Sequence, residues 1–424
     1  MSRLAMLGVG MCGLVLTAQA RPQVATPAKD EVVSLVKLEQ KAFLDRTRAG
    51  RRAWLADPKE LAQSEKAGCV PAKVLLSWTG AKGRVDVVVR RSGNGPIVFA
   101  TNAVNLARVE IDNLEIAQTY SWTVQDDEGT AESCFRTEDY APRFIRVPRI
   151  KNLRDLGGRI GFEGRRVRQG LVYRSVGLNE NARRVYLSTQ QIEDAAANGT
   201  LEDLLAKTTD LALKPTDVQK QAAKIQAYIK KEAHVPVRYG ERYLLPDKLV
   251  PGAARLTAET RAYMTKVLGI KTDLDLRSPA EVFGMKESPL GPGVRWAHIP
   301  FSAYGGMGTA DGKGPFKKAF KIFLDKANYP IDFHCIMGAD RTGSLAFILN
   351  GLLGVPEEEL YKDWEATAFM ARPRGFGHKE RLDGLIRVFN AYPGETINAR
   401  IEAYVLEQGF TTGDIAKFRS IMLE

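Results

Sequence analysis

Asp332-Phe333-His334-Cys335-Ile336-Met337-Gly338-Ala339-Asp340-Arg341-Thr342-Gly343-Ser344 is the stretch on which the fold turns. It follows the short apolar run at Ile331 and precedes Leu345-Ala346-Phe347-Ile348-Leu349-Asn350. This pattern predicts a strand ending at His334, a short loop, and an apolar helix that opens at Arg341 and continues to about Leu353. Backbone N–H groups of a loop wrapped over a helix N-terminus form a cradle for an anion, and Arg341 can add two parallel charge-assisted bonds to a phosphoryl group. The same positive field draws the Cys335 thiol below its ordinary pKa of about 8.5, toward thiolate. A nucleophile and an oxyanion site therefore share one loop. A strand-to-helix turn of this kind implies an α/β domain with a central, mostly parallel sheet flanked by helices, and Cys335 at a strand's carboxyl end, where such sheets bind ligands.

His before Cys, five residues, then Arg-Thr resembles the signature of the cysteine-dependent protein tyrosine phosphatase superfamily. The resemblance implies a tyrosine-phosphatase-like fold and a two-step hydrolysis in which Cys335 attacks phosphorus to give a phosphocysteine. Arg341 and the loop amides would then hold the equatorial oxygens until water releases phosphate, with Ile336, Met337, Gly338, Ala339, Thr342 and Gly343 as the substrate-binding residues. It further implies that Thr342 stabilises the thiolate, that Gly338 and Gly343 permit a tight backbone, and that His334 orients the cysteine from behind. Asp340 next to Arg341 resembles the bacterial tyrosine phosphatase group, some of whose members act on phosphoinositides and in which this aspartate is the proposed general acid.

Two further stretches are similar to that group. One is Asn152-Leu153-Arg154-Asp155-Leu156-Gly157-Gly158 with Val167–Ser175; the other is Leu268–Ser278. A phosphatase of the commoner type would instead use an aspartate beyond the strand Trp296–Phe301, and Asp311 meets that description. Ala339 stands where relatives often carry lysine, which removes one contact to an additional phosphate. Arg154 and Asp155 either line the pocket or brace the domain entrance, and Arg277 with Glu281 reads as a salt bridge within a turn.

Working outward, the catalytic domain is expected over 145–424, with an inserted helical segment at about 179–250 that is either a lid or a solvated appendage. Upstream, runs such as Val74–Trp78, Val85–Val89, Tyr120–Val124 and Ser133–Phe135 are rich in β-branched and aromatic residues and separated by turn residues. They read as a small all-β sandwich over 66–140, which resembles a fibronectin type III or immunoglobulin-like module and is a candidate dock for a protein partner. Residues 21–65 read as an amphipathic helical linker. Arg3, the apolar run Leu4–Leu16 and Thr17-Ala18-Gln19-Ala20 have the form of a signal peptide covering 1–20, too short for the roughly 30 Å of a bilayer core. The mature protein is thus expected to be secreted or periplasmic, without stable membrane insertion. Of four cysteines, Cys12 leaves with the leader, Cys69 and Cys134 are expected to bond across the sandwich, and Cys335 remains as the reactive thiol.

The chain has 424 residues, 44% hydrophobic and 26% charged, which suits two or three globular domains and excludes wholesale disorder. Lys plus Arg exceed Asp plus Glu by 61 − 50 = 11, a bias toward anionic partners. Within Arg143–Arg174 ten basic residues face two acidic ones, which suits a phosphorylated ligand: a phosphoprotein, a phosphoinositide or a small organic phosphate. Nucleic-acid motifs and interleaved exposed aromatics are missing from the sequence. Four histidines lack metal-ligand spacing and Gly306–Gly314 lacks the spacing of a nucleotide loop, so no metal or other cofactor is expected.

Overall fold

The computed structural model describes residues 21–91, 95–207, 215–230, 238–239, 242–370 and 379–424. The leader at 1–20 lies outside them. The chain divides into two units: the part up to Leu35 with Lys73–Glu138, and Val36–Ala72 with Asp139–Glu424.

Among its described residues the first unit holds eight strands: β1 (Gln23–Thr26), β2 (Glu31–Val33), β3 (Val74–Thr79), β4 (Arg84–Arg91), β5 (Ile97–Val104), β6 (Arg108–Ile111), β7 (Thr119–Asp126) and β8 (Gly129–Thr137). Strand β3 lies between β1 and β6, and the second sheet runs β2-β8-β7-β4-β5, antiparallel except where β2 joins β8. Alternation drives both. Val74, Leu76 and Trp78 on β3, Val85, Val87 and Val89 on β4, and Tyr120, Trp122 and Val124 on β7 are buried, the period-two pattern of strands with one covered face. Trp78 of one sheet and Trp122 of the other have ring centroids 6.3 Å apart.

The expected 21–65 linker is corrected here. Its start forms β1 and β2, and its remainder forms three helices of the second unit: α1 (Leu38–Leu44), α2 (Arg48–Ala56) and α3 (Pro58–Ala67). Thr47 caps α2 through the Gly50 amide; Asp57 caps α3 through the Lys59 amide, with Pro58 at the first helical position. Apolar faces and a buried ion pair account for the change. Phe43 packs edge-on against Trp54 and Phe369, while the fully buried Arg51 binds Glu365 at 2.5 Å and Glu358 at 2.6 Å. Arg51→Met would strand Glu365 in the core, and the expected loss is about 3 kcal/mol of unfolding free energy, measurable by urea denaturation.

The proposed Cys69–Cys134 disulfide is also corrected: both cysteines are free. Cys69 follows α3 in the second unit, buried with its sulfur 3.5 Å from the Asn152 side-chain oxygen and from the Ala366 carbonyl. Burial pushes its thiol up to about 11. Cys134 sits on β8 in the first unit, against the Asp30 carboxylate.

The second unit is organised by a six-stranded sheet. Its strands are β9 (Arg143–Phe144), β10 (Arg154–Asp155), β11 (Val172–Ser175), β15 (Thr272–Asp275), β16 (Arg295–His298) and β17 (Ile331–His334), in the order β16-β15-β17-β11-β10-β9. The first four in that order run parallel; β10 and β9 are antiparallel additions. The inserted segment makes β12 (Arg183–Ser188), β13 (Arg238–Tyr239), β14 (Arg242–Val250) and helices α4 (Thr189–Ala197), α5 (Leu201–Lys207) and α6 (Pro215–Lys230). It has an apolar cluster of its own that includes Leu187, Ile192, Leu205 and Val218, and the short helix α7 (Ala258–Ala262) follows it.

Strand β17 reads Ile-Asp-Phe-His, and the pleat sends these pairs to opposite faces. Ile331 and Phe333 join Leu274 and Val172 in the main apolar core, together with α8 (Ala310–Phe323) and α9 (Arg341–Leu352). Asp332 and His334 face the other way, in register with Asp273 and Asp275 of β15 and with Tyr173 and Ser175 of β11. The sheet is therefore oily on one side of its centre and ionisable on the other, directly under the loop that follows.

Candidate active site

Residues 335–340 leave β17 between two parallel neighbours and enter α9 at Arg341. The carbonyls of residues 336–340 are all engaged. Ile336 accepts from the Gly177 amide, Met337 from the Asn152 side chain, Gly338 from Asn152 and Arg174, Ala339 from the Gly343 amide, and Asp340 from the Ser344 amide and hydroxyl. In a trans peptide the next residue's N–H points opposite to the carbonyl. Anchoring these oxygens thus turns the amides of Met337, Gly338, Ala339, Asp340 and Arg341 to the other side, into one concave set of donors that can hold a tetrahedral oxyanion. Gly338 is essential to that path. Its φ is +63°, and an added Cβ would strike the Ser175 carbonyl oxygen. Gly343 has a different reason: a Cβ there would meet the Trp364 indole at 2.8 Å.

Cys335 is buried at the base of the loop. Burial alone would raise its thiol, but the Arg341 guanidinium and the hydroxyl and amide of Thr342 outweigh that and hold it below the usual value. Arg341 is gripped by Glu281, at 2.7 Å and 3.2 Å from its two terminal nitrogens. Glu281 in turn accepts the Ser278 amide at 2.6 Å, and its carboxyl is held below the ordinary range despite burial by these bonds. The expected Arg277–Glu281 turn bridge is corrected: the fully buried Arg277 pairs with Asp275 at 2.6 Å and reaches Asn181 at 3.1 Å.

His334 Nε2 lies 2.8 Å from Asp273, and its Nδ1 lies 3.8 Å from Asp275. Burial opposes charge on the ring, but Asp275 and Asp273 prevail and raise it to about 9. On the same face burial pushes Asp332 up to about 7, with the Ser175 hydroxyl donating to it at 2.9 Å. The stabilisation from charged His334 is fully present below the free imidazole value of about 6.5 and is lost as pH rises through about 9. The unfolding midpoint is therefore expected to fall across that window, and His334→Asn to flatten the fall, as a thermal-melt series against pH would show.

Asp340 is half-buried at the mouth of the loop and accepts a hydrogen bond from the Tyr304 hydroxyl at 2.5 Å. Asp311 is exposed in the first turn of α8. The Gly-rich segment before it is a 3-10 turn, Tyr304–Gly308, leading into that helix. Ile336 and Met337 are half-buried; Ala339 is buried within the apolar core. Asp155 is a brace, binding Arg143 at 2.8 Å and accepting the amides of Gly157 and Gly170. Among the described residues no cluster of three His, Cys, Asp or Glu side chains could hold a metal ion.

Sequence reasoning missed Glu281 as the partner of Arg341, Tyr304 as the partner of Asp340, and Asn152 and Arg174 as anchors of the loop carbonyls. Only Asn152 carried a local signal. Its φ is +55°, a conformation Asn tolerates better than most residues.

Residues 251–424 match the model of the tyrosine phosphatase family. No curated protein matches the chain. Among solved structures, the chain is 20% identical to the core catalytic domain of the PP-IP phosphatase SIW14 from S. cerevisiae in complex with citrate, over 29% of this chain and 72% of that one, with a TM-score of 0.22. A structure of the Siw14 catalytic core is 18% identical over 36% of this chain and 84% of that one, with a TM-score of 0.25. The family match spans Glu281, the Cys335–Arg341 loop and Asp363, and it supports a phosphatase of the tyrosine phosphatase superfamily for this part of the chain.

Proposed function

We propose that the chain is a metal-independent phosphomonoesterase acting on phosphotyrosine or related esters through a phosphocysteine. The observation that carries this reading is the Cys335 thiol, drawn below its usual value at the base of a loop whose carbonyls at 336–340 are all tied up by hydrogen bonds to other parts of the chain. The thiolate attacks phosphorus and the ester P–O bond breaks. Arg341 and the loop amides hold the three equatorial oxygens while Asp340 gives its proton to the leaving oxygen. Water then attacks phosphorus, giving a proton to the Asp340 carboxylate, and the P–S bond breaks, releasing phosphate and restoring the thiolate.

The test is hydrolysis of an aryl phosphate with and without chelator. Turnover that survives chelation supports the reading; loss on chelation would sink it, and phosphate binding without turnover would recast the loop as a binding module. A panel of phosphopeptides and inositol phosphates then separates a protein substrate from a phosphoinositide or inositol phosphate, with Cys335→Ser as the control.

Asp340 as general acid makes a separate prediction. Asp340→Asn is expected to lower kcat about 10²-fold for esters with basic leaving groups and far less for acidic ones, since only the former need a proton in the transition state. Asp311→Asn should leave that dependence unchanged; the opposite result would move the role to Asp311. The first unit serves, on this reading, as a fibronectin-like docking module. Residues 1–20 act as a leader, so N-terminal sequencing of exported protein should begin at Arg21.

A further inference from the structure

Behind the loop, away from Cys335, lies a buried cluster that the reaction does not use. Asp363 belongs to α10 (Glu357–Glu365) and is 2% exposed. Three guanidinium groups converge on its carboxylate: Arg174 at 2.5 Å, Arg159 at 3.3 Å and Arg154 at 3.6 Å. Arg154 also donates to the Asp363 backbone carbonyl at 2.9 Å and to the side-chain oxygen of Asn152. Burial alone would raise Asp363, but Arg174, Arg154 and Arg159 hold it well below the ordinary carboxylate range. Glu359 is the other acid at the cluster, 3.7 Å from Arg159, so positive charge is in excess.

This cluster reaches the phosphate loop by two arms. Arg174 donates to the Gly338 carbonyl at 2.6 Å, and the Asn152 amide donates to the carbonyls of Met337 and Gly338 at 3.1 Å each. Asn152, Arg154 and Arg174 are all fully buried. Three hydrogen bonds from two fully buried side chains hold the two carbonyls in one orientation. Loss of Asn152 would leave the Met337 carbonyl without its donor, and loss of either arm would leave the Gly338 carbonyl with one donor instead of two and freer to rotate toward the pocket.

We propose that Asn152 and Arg174, locked from behind by Asp363, are positioning residues that aim the Gly338 and Ala339 amides at the bound phosphoryl group. The cluster's positive excess adds to this a fixed field of the right sign for a dianion. The proposal rests on the phosphatase reading for the identity of the anion.

The test uses the full chain with two variants that add no negative charge. Asn152→Gly removes the amide while tolerating the positive φ, and Arg174→Lys keeps the charge but loses the fork that spans Asp363 and Gly338. Measured for each are kcat and KM for an aryl phosphate, the Kd of inorganic phosphate by calorimetry, and the pH profile of Cys335 alkylation by neutral iodoacetamide. The expected result is a loss of about 10²-fold in kcat/KM and a weaker phosphate Kd, with the alkylation profile unmoved because Arg341 and Thr342 set the thiolate. A folded variant whose phosphate Kd matches wild type would overturn the proposal, even if turnover had fallen. If Asn152→Gly does not fold, Arg174→Lys decides. A wild type that binds phosphate without hydrolysing esters would defeat the functional reading alone, since the Kd comparison would still judge the clamp.

Discussion

Cys335→Ser is expected to lower aryl phosphate turnover by at least about 10⁴-fold while preserving phosphate binding. The serine hydroxyl is nearly isosteric with the thiol, so the amides anchored through Gly177, Asn152, Arg174, Gly343 and Ser344 should stay in place. What disappears is the charge. Arg341 and Thr342 draw the thiol below its usual value, but a hydroxyl starts far above that value and stays protonated. The measurement is paired: steady-state turnover, and titration of the variant with inorganic phosphate. Turnover within tenfold of wild type would eliminate the phosphocysteine route, and loss of both readouts would point to a collapsed loop.

Arg341→Lys carries the second-largest effect, about 10³-fold in kcat/KM. A guanidinium can present one edge to Glu281, at 2.7 Å and 3.2 Å, and still offer N–H groups to two phosphoryl oxygens. An ammonium is a single point charge and must choose between the acid and the phosphate. The substitution also weakens the cation first among those that favour the thiolate, so the acid limb of the kcat/KM profile should move to higher pH. Glu281, without its fork, should titrate closer to an ordinary glutamate. A drop of less than tenfold with an unmoved acid limb would contradict the role assigned to Arg341.

Much of the site was legible because its chemistry is local. Strand, loop and helix N-terminus are contiguous between Ile331 and Leu352, and a hydrophobic run interrupted by Gly338, Asp340 and Arg341 states both the turn and the charge. Partners distant along the chain left no such trace. Arg277 and Glu281 are four residues apart, which invited a local pairing. The chain there is a turn after β15, however, and Arg277 folds back on Asp275 while Glu281 reaches across to Arg341. Asp363 could have been suspected, since it shares the buried side of α10 with Leu360, Tyr361 and Trp364. An acid on an oily helical stripe needs a cation, although nothing in the sequence says which. Cys69 was misplaced for a related reason: a cysteine beside a strand-rich segment suggests a staple, whereas its true neighbours, Asn152 and Ala366, are 83 and 297 positions away.

The helices from Leu38 to Ala67 have a consequence for how this protein comes into being. They are made before the first unit is finished, yet Arg51 meets Glu365 across 314 positions. Until that glutamate and Phe369 emerge, Phe43, Trp54 and Leu55 have no permanent cover, and long-range closures of this kind are slow and prone to aggregate. The first unit, complete by Thr137, can fold while its neighbour waits. It also follows that a fragment cut near residue 145 would be incomplete as a unit. Such a fragment would keep Cys335 and the sheet but lose Arg51 and the aromatic cover over Phe369, which belong to the same unit from Val36 onward.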